Sequence, residues 1–264
     1  MSVMKTTLLT NVYNEEYLLP FWLHHHKDMF DDIIIVNYYS TDKSMEICKS
    51  ICPNCKIIET RNKFFGAIEI DQEIMDIENG IEGIKIMLNT TEFLLCETSI
   101  KDIFINNTSP ISYGITSVAP YSKTTYNINT YSELFGNLLN NDIVYHNDIN
   151  RGARQLHNFN NGNYGLGRHT SWNPSISTNK AHIIWFGFYP MNDKLLKRKL
   201  QIHTHIPESD RVQGYSYHHF FNKEQLLSIN NENYDSGSPL KDINLSAYNL
   251  LTQKYLEVQR RLLY

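Results

Sequence analysis

The chain has 264 residues, a formal net charge of −4 at pH 7, 41% hydrophobic residues and 20% charged residues. This hydrophobic content is sufficient for a packed core, and the negative charge argues against a broad basic surface and therefore against nucleic acid as a partner. No apolar run reaches the roughly 18 residues of a membrane span, and the N-terminus lacks the layout of a signal segment. We therefore expect a cytoplasmic protein without a transmembrane segment.

The first hundred residues predict strands alternating with helices. Short apolar runs predict strands over residues 6–12, 33–37, 56–60 and 84–88. Segments with helical periodicity predict helices over residues 17–29, 40–48 and 64–79. This alternation favours a mostly parallel sheet with right-handed crossovers. In such a sheet, the loops at the carboxyl ends of the strands form the ligand crevice.

Several polar residues beside these helices have two interpretations each. Asn14 is a candidate N-cap of the first helix, and Asp42 either caps the second helix or contacts a ligand. Asp71 is either a solvated acid on the third helix or part of the site. These alternatives stay open from the sequence alone.

Two motifs look like metal sites but have simpler interpretations. The run His24–His26 cannot chelate one ion, because successive helical positions point about 100° apart. The spacing of Cys52 and Cys55 is typical of half a zinc site, but no second pair completes it. We therefore expect solvated or core-edge histidines, and free thiols beside a turn.

Periodicity weakens after residue 99. Strands are predicted at residues 111–119, 143–145 and 181–188, and helices at residues 132–139, 191–200 and 240–263. Residues 147–179 are rich in Asn, Gly, Ser and His without a period, which indicates a functional or mobile loop. No internal repeat or linker divides the chain, so we expect one domain over residues 1–264.

Several motifs follow one another in the first hundred residues. The first strand runs into Asn14-Glu15-Glu16-Tyr17-Leu18, and the helix after it carries Trp22 and the three histidines. The second strand runs into Asn37-Tyr38-Tyr39-Ser40-Thr41-Asp42, and the fourth into Asn89-Thr90-Thr91-Glu92-Phe93-Leu94. Their order resembles the nucleotide-sugar glycosyltransferases of the GT-A fold, in particular family-2-like members. Residues 185–219 resemble, more loosely, the acceptor-side half of some members.

The resemblance implies a GT-A fold: a Rossmann-like three-layer α/β/α sandwich with a mostly parallel central sheet and an irregular acceptor-side C-terminal half. Residues 1–100 would form the nucleotide-sugar-binding half, residues 101–240 the acceptor-side half and residues 240–264 a C-terminal helix. It also implies a transferase that moves a sugar from a UDP-, GDP- or TDP-sugar to a hydroxyl of a glycan or protein acceptor, with inversion. The implied donor-contacting residues are Asn11, Tyr13, Asn14, Glu15, Asn37, Asp42, Asp71, Asn89, Thr91 and Arg168.

The acids that the resemblance leads us to expect are missing. The family neutralises the leaving diphosphate with Mn²⁺ or Mg²⁺ held by an Asp-x-Asp motif, since hard cations prefer carboxylate oxygens. Here Asn89 and Thr91 stand at the two acid positions. Asn37 likewise replaces the acid expected after the second strand.

Three hypotheses about the site remain open. In the first hypothesis, a metal ion is held by Glu92 together with His169. Alternatively, the site works without metal, and Lys197, Arg198 or Arg168 offsets the charge of the diphosphate. Third, the protein binds nucleotide or carbohydrate without transferring a sugar. A nucleotidyltransferase is a weaker alternative, because the first strand lacks a Gly-rich loop.

An inverting transfer also needs a general base that deprotonates the acceptor hydroxyl. The candidates are Asp210, Asp148 and His218, which follows an aromatic stretch that could meet a sugar face. The glycines at positions 162, 165 and 167 match no dinucleotide fingerprint. We expect them to form a flexible loop whose Arg168 and His169 close over the diphosphate.

Overall fold

The structure is a computed structural model that describes residues 4–105, 109–147 and 152–261. The strands are β1 (Thr6–Val12), β2 (Asp32–Asn37), β3 (Lys56–Glu59), β4 (Ile84–Met87), β5 (Glu92–Cys96), β6 (Ser112–Ile115), β7 (Ser117–Tyr121), β8 (Val144–Asn147), β9 (Arg154–His157), β10 (Ser175–Ser177) and β11 (Ala181–Trp185). The α-helices are α1 (Leu19–His26), α2 (Ser44–Ile51), α3 (Ala67–Glu78), α4 (Ile100–Phe104), α5 (Tyr131–Gly136), α6 (Asp193–Gln201), α7 (Glu208–Gln213), α8 (Lys223–Ser236), α9 (Leu240–Ile243) and α10 (Leu245–Arg261).

The strands form two sheets. Within the described ranges, the main sheet has seven strands in the order β10-β6-β9-β4-β1-β2-β3, and the second has four in the order β5-β11-β7-β8. β1 pairs in parallel with β2 and β4, and β2 pairs in parallel with β3. β9 is antiparallel to both of its neighbours. The prediction of an α/β fold with a mostly parallel central sheet is confirmed.

Helices cover both faces of the main sheet. All seven residues of β1 are buried, and alternate residues of a strand point to opposite faces. Leu8 and Val12 pack in one apolar cluster with Trp22 of α1, whereas Leu9 packs in another with Ile74 of α3. The central sheet therefore lies between two helical layers, as a three-layer sandwich requires.

Two of the three consecutive histidines are core residues. His25 is hydrogen-bonded through Nδ1 to the hydroxyl of Tyr131 at 2.6 Å and through Nε2 to the carbonyl oxygen of Leu94 at 2.7 Å. His26 Nδ1 is hydrogen-bonded to the carbonyl oxygen of Trp22 at 2.9 Å, and its Nε2 accepts from the amide of Leu94 at 3.1 Å. Burial lowers the pKa of His25 to about 3, so this ring is neutral at pH 7. Both rings serve the packing of α1 against β5.

The cysteine prediction is wrong for one pair. Cys52 and Cys55 form a disulfide in the turn between α2 and β3. The amide of Cys55 donates to the carbonyl oxygen of Cys52 at 2.9 Å, and this turn brings the two Cα atoms within 5.4 Å of each other, a normal disulfide spacing. Cys48 and Cys96 are free, and burial raises the pKa of each thiol to about 12.

The second half differs from the predicted pattern in several places, among them the long predicted loop and the C-terminal helix. The segment predicted as a loop, residues 147–179, contains β9, β10 and a 3-10 helix at Leu166–Arg168. β9 lies in the main sheet between β4 and β6. The predicted C-terminal helix is two helices, α9 and α10, which are separated at Asn244. The side chain of Asn244 accepts from the amide of Ala247 at 3.0 Å and so caps the second of them. Within the described residues, no helix combines the length and the apolar character that crossing a membrane would require.

Candidate functional site

The carboxyl ends of three parallel strands meet at one edge of the main sheet. Tyr13 follows β1, Asn37 ends β2, and Asn89 lies two residues after the end of β4. The register pairs Val12 with Asn37 across β1 and β2, and Leu9 with Met87 across β1 and β4. We call this edge the crevice. Most of the side chains predicted to contact a donor lie around it.

An acid absent from β2 is present on the neighbouring strand. Asn37 and Glu59 are register partners across β2 and β3, and the Asn37 Nδ2 donates to both carboxylate oxygens of Glu59 at 2.9 Å. Asn37 is buried, whereas Glu59 is exposed. The sequence interpretation missed Glu59. Its only signal was its place near the end of the third predicted strand, and only the parallel register shows that it lies beside Asn37.

The loops after β1 and β2 are joined by hydrogen bonds. Asn14 has a φ of 50°, and its Oδ1 accepts from the amide of Thr41 at 2.7 Å. Asp42 accepts from the amide of Glu16 at 3.0 Å and from the amide of Ser44, at the start of α2, at 2.9 Å. The cap prediction for Asn14 is therefore wrong, because its side chain bonds the neighbouring loop and α1 begins only at residue 19. Asp42 precedes the N-cap position, Lys43, and bonds the first amide of α2, so it supports the start of that helix without occupying the N-cap.

Glu15 and Arg198 form an ion pair between the first loop and α6. The Arg198 Nε and Nη2 donate to the two carboxylate oxygens at 2.5 and 2.6 Å. Lys197, by contrast, is 78% exposed and lies 3.6 Å from Glu16. α6 therefore packs against the loops of the crevice. A cavity of about 540 Å³ lies between them, lined by Asn14, Tyr17, Asp42, Lys194 and Arg198 among others.

Glu92, a predicted metal ligand, lies in a buried ion pair with Arg154 of β9. The Arg154 Nε lies 3.0 Å from both carboxylate oxygens, and its Nη2 donates to Oε1 at 2.7 Å. The amide of Asn89 donates to Oε2 at 2.8 Å. Both carboxylate oxygens therefore already receive hydrogen bonds. The partner that Arg154 supplies is 62 residues away in the sequence, which is why sequence reasoning missed it.

The donor set at the crevice does not fit a divalent cation. Asn89 and Thr91 carry no charge, Thr91 is buried, and Glu92 is held by a guanidinium. His169 is partly buried and follows Arg168 directly. In the parts of the chain that the structure describes, no group of three or more His, Cys, Asp or Glu side chains is placed to hold a metal ion.

Arg168 lies beside Asn89, which follows β4. Its Nη1 forms an ion pair with Asp71 of α3, and its Nη2 donates to the Asn89 Oδ1 at 3.1 Å. The amide of Gly167 donates to the second oxygen of Asp71 at 2.6 Å. Arg168 and Asp71 are both buried, so Asp71 is not the solvated acid of the alternative interpretation. The structure thus brings three of the predicted donor residues, Asp71, Asn89 and Arg168, into one cluster.

The glycine-rich loop before Arg168 is anchored to α3. Asp71, Met75 and Glu78 are spaced four and three residues apart, so they lie on one face of the helix. Met75 Sδ accepts from the amide of Tyr164 at 3.3 Å, and Glu78 accepts from the amide of Gly162 at 2.7 Å and the hydroxyl of Tyr164 at 2.8 Å. The prediction of a flexible loop is therefore wrong for this segment, because three helix side chains bind its backbone.

Two predicted residues, Asn11 of β1 and Tyr13 just after it, lie at the carboxyl end of this strand. Asn11 is buried, and its Oδ1 has no hydrogen-bond partner among the described residues. The Tyr13 hydroxyl is hydrogen-bonded to His205 Nε2 at 2.5 Å, and the amide of Phe65 donates to the carbonyl oxygen of His205 at 2.8 Å. The segment around His205 therefore lies against the rim of the crevice.

The three predicted base candidates have different positions. Asp210 is buried in α7, and its Oδ2 accepts from the amide of Ala67 at the start of α3 at 2.8 Å. His218 is exposed in a 3-10 helix at Tyr217–Phe220. Asp148 lies outside the described residues. Asp210 is thus the candidate that contacts the start of α3.

A second, larger cavity of about 810 Å³ lies between α1, α5 and α10, with Phe21, Tyr131 and Leu250 in its wall. None of the crevice residues Tyr13, Asn37 and Asn89 contributes to its lining. It is therefore separate from the predicted site.

No protein-family model matches this sequence, and no curated protein matches it. Among solved structures, S. aureus TarS (residues 1–349) is similar, with 14% identity, a TM-score of 0.45 and coverage of 80% of this chain and 69% of that chain. S. aureus TarS in complex with UDP-GlcNAc matches with 18% identity, a TM-score of 0.34 and coverage of 48% and 37%. Glucosyl-3-phosphoglycerate synthase from Mycobacterium tuberculosis, in complex with Mn²⁺, UDP and glucosyl-3-phosphoglycerate, matches with 10% identity and a TM-score of 0.28. The match spans 34% of each chain, or about a third of the length of the synthase.

Proposed function

We propose that the protein is a GT-A-type glycosyltransferase that uses a nucleotide-sugar donor. The observation that carries this proposal is the convergence of polar side chains at one edge of the parallel sheet: Asn11 on β1, the Asn37–Glu59 pair on β2 and β3, and the Asn89–Arg168 contact after β4. Ligands of open α/β sheets bind at such an edge. The motifs that resemble the glycosyltransferases lie at the same edge.

The nucleoside would lie over the ends of β2 and β3. The exposed carboxylate of Glu59 is positioned by Asn37 and is suited to accept hydrogen bonds from ribose hydroxyls. Tyr39 is 54% exposed, and its hydroxyl donates to the carbonyl oxygen of Thr60 at 3.2 Å, which holds the ring beside these strand ends. An exposed aromatic face is a stacking surface for a base. UDP-, GDP- and TDP-sugars are the candidate donors.

We propose Asp210 as the general base of an inverting transfer. Its Oδ2 is bonded to the amide of Ala67, while its Oδ1 accepts no hydrogen bond from any described residue. Oδ1 would take the proton of the acceptor hydroxyl as that oxygen forms a bond to the anomeric carbon. The bond from this carbon to the diphosphate oxygen breaks at the same time, and its electron pair leaves with the nucleotide. Residues 1–100, together with Arg168, would thus bind the donor, and the rest of residues 101–240 would bind the acceptor, a glycan or a protein hydroxyl.

Two variants at one position test this role. Asp210→Asn keeps an oxygen for the Ala67 amide but cannot take up a proton, so we expect the melting temperature to stay close to wild type while turnover falls by about 10²-fold or more. Asp210→Ala also removes the hydrogen bond at the start of α3 and should cost about 1 kcal/mol of stability. Turnover should be measured both as donor hydrolysis and as transfer to an acceptor. If Asp210→Asn were as active as wild type, Asp210 would not be the general base.

Nucleotide binding is the first test of the whole proposal. A ligand that binds the folded state raises the melting temperature, so UDP, GDP and TDP should be compared by thermal shift. We expect at least one of them to raise it. If none does, the transferase proposal is wrong.

A second candidate function is nucleotide or carbohydrate binding without transfer. The loss of both motif acids, at Asn89 and Thr91, favours it. It predicts a thermal shift with nucleotide but no donor hydrolysis and no transfer by the wild-type protein. A cytoplasmic location remains a prediction under both functions.

A further inference from the structure

We infer that the donor diphosphate is bound by the guanidinium of Arg168, without a divalent metal ion. This inference rests on the proposed function and names the side chain of the same site that binds the negatively charged diphosphate. Its first support is the donor set described above. Asn89 and Thr91 offer only neutral oxygens, and the Glu92 carboxylate is taken by Arg154 and by the amide of Asn89. A hard cation would find no free carboxylate among these side chains.

The second support is the unused donor capacity of Arg168. A guanidinium has five N–H groups, and here Nη1 is used by Asp71 and Nη2 by Asn89. Nε is buried and has no hydrogen-bond partner in the described part of the chain. A buried donor without a partner is costly, and a phosphate oxygen is an acceptor that would complete it. Guanidinium groups are well suited to phosphate oxygens, which accept pairs of parallel hydrogen bonds.

A matching acceptor lies on the same face of the sheet. Asn11 is two residues after Leu9, so both side chains point to the same side of β1. Leu9 packs there with Tyr164, which belongs to the loop that carries Arg168. The Oδ1 of Asn11 is also buried without a partner in the described ranges. A nucleotide-sugar supplies what both groups lack, because its phosphate oxygens accept hydrogen bonds and its sugar hydroxyls donate them.

The third support is the rigidity of the arginine. Arg168 has a φ of 59° and follows Gly167, whose φ is 70°, so two consecutive residues are left-handed. The Gly167 amide donates to Asp71, and its carbonyl oxygen accepts from the Arg154 Nη1 at 2.7 Å. Both buried ion pairs therefore hold the backbone that presents Arg168. A donor fixed before the ligand arrives loses little conformational entropy on binding.

The wild-type protein provides the first test. Calorimetric titration with UDP, GDP and TDP should be carried out once in EDTA and once in Mn²⁺. We expect the nucleotide that binds to have the same Kd, within about threefold, in both conditions. Binding that needs Mn²⁺ would overturn the inference and leave the proposed function intact. Absence of binding in both conditions would overturn the proposed function and the inference with it.

A paired substitution provides the second test. Arg168→Gln combined with Asp71→Asn removes both charges of the pair and leaves no buried carboxylate without a counter-charge. We expect this double variant to melt cooperatively and to bind the same nucleotide about tenfold or more weakly in EDTA, since a charge-assisted contact is lost. Arg168→Lys keeps the charge without the planar fork and should be intermediate. Lys101→Gln is the matched control, because Lys101 pairs with Asp31 at the opposite edge of the sheet, and it should bind as wild type does.

The outcome of the double variant decides the role of Arg168. Wild-type affinity in a folded double variant would overturn the inference. If the double variant does not fold, Arg168→Lys gives the same decision, because unchanged affinity there would show that the guanidinium does not bind the nucleotide.

Discussion

Removing the guanidinium of Arg154 should destabilise the protein strongly. Arg154 and Glu92 have side chains that are 5% and 1% exposed and are joined by short hydrogen bonds, the shortest of 2.7 Å. Arg154→Met keeps the length of the side chain but leaves the carboxylate buried without its counter-charge. Loss of one partner from a buried pair costs about 3–5 kcal/mol. We expect a loss of that size in the free energy of unfolding, measured by urea denaturation followed by circular dichroism.

The companion variants separate the charge from the packing. Adding Glu92→Gln to Arg154→Met removes the stranded charge and keeps an oxygen for the Asn89 amide, so we expect the double variant to be more stable than Arg154→Met alone. Lys101→Met is the control, because Lys101 and Asp31 form a pair in which each side chain is 36% exposed. An exposed pair contributes less than about 1 kcal/mol. A loss below about 1 kcal/mol for Arg154→Met would refute the reasoning, since Glu92 would then be reached by water and be available to a cation.

Three further predictions concern His25, Asp42 and Glu59. Burial lowers the pKa of His25 to about 3, so between pH 6.5 and 3 the unfolded chain binds a proton that the folded chain does not. Its contribution to stability should therefore decrease by about 2 kcal/mol from pH 6.5 to pH 5, and His25→Gln should reduce the slope of unfolding free energy against pH; an unchanged slope would contradict this. Asp42→Ala removes the acceptor of the Ser44 amide and should lower the free energy of unfolding, measured by urea denaturation, by about 1 kcal/mol. An unchanged free energy of unfolding would show that this hydrogen bond does not stabilise α2. Glu59→Gln should weaken nucleotide binding in calorimetry by about tenfold, and equal affinity would remove Glu59 from the site.

Several features of the site were visible in the sequence because they depend on neighbours along the chain. The predicted strand over residues 6–12 coincides with β1, and the next two predicted strands differ from β2 and β3 by one residue each. Short apolar runs between polar residues are sufficient for this, since a strand buried on both faces needs every side chain to be apolar or paired. The sequence also shows directly that Asn89 and Thr91 stand where the resemblance leads us to expect acids.

Predictions made from neighbouring residues were wrong where a side chain had several possible hydrogen-bond partners. Asn14 has the residue type of an N-cap, but its oxygen bonds the amide of Thr41 on the next loop. Residues 162–168 have the composition of a mobile loop, but they are bound by one face of α3. In both cases, a contact with a distant segment outweighs the local preference, because each backbone amide bonds whichever acceptor the fold brings to it.

The sequence by itself determined the alternation of strands and helices. It also predicted the edge of the sheet where a ligand would bind, and it has Asn89 and Thr91 at two positions of that edge where the resemblance leads us to expect acids. Only the tertiary structure decided what stands in their place. Arg154 reaches Glu92 from 62 residues away, and Arg168 reaches Asn89 from 79 residues away. A sequence shows that these charges exist, but a buried charge must be compensated by a partner in space, and that partner is chosen by the packing of β9 and α3 around the crevice.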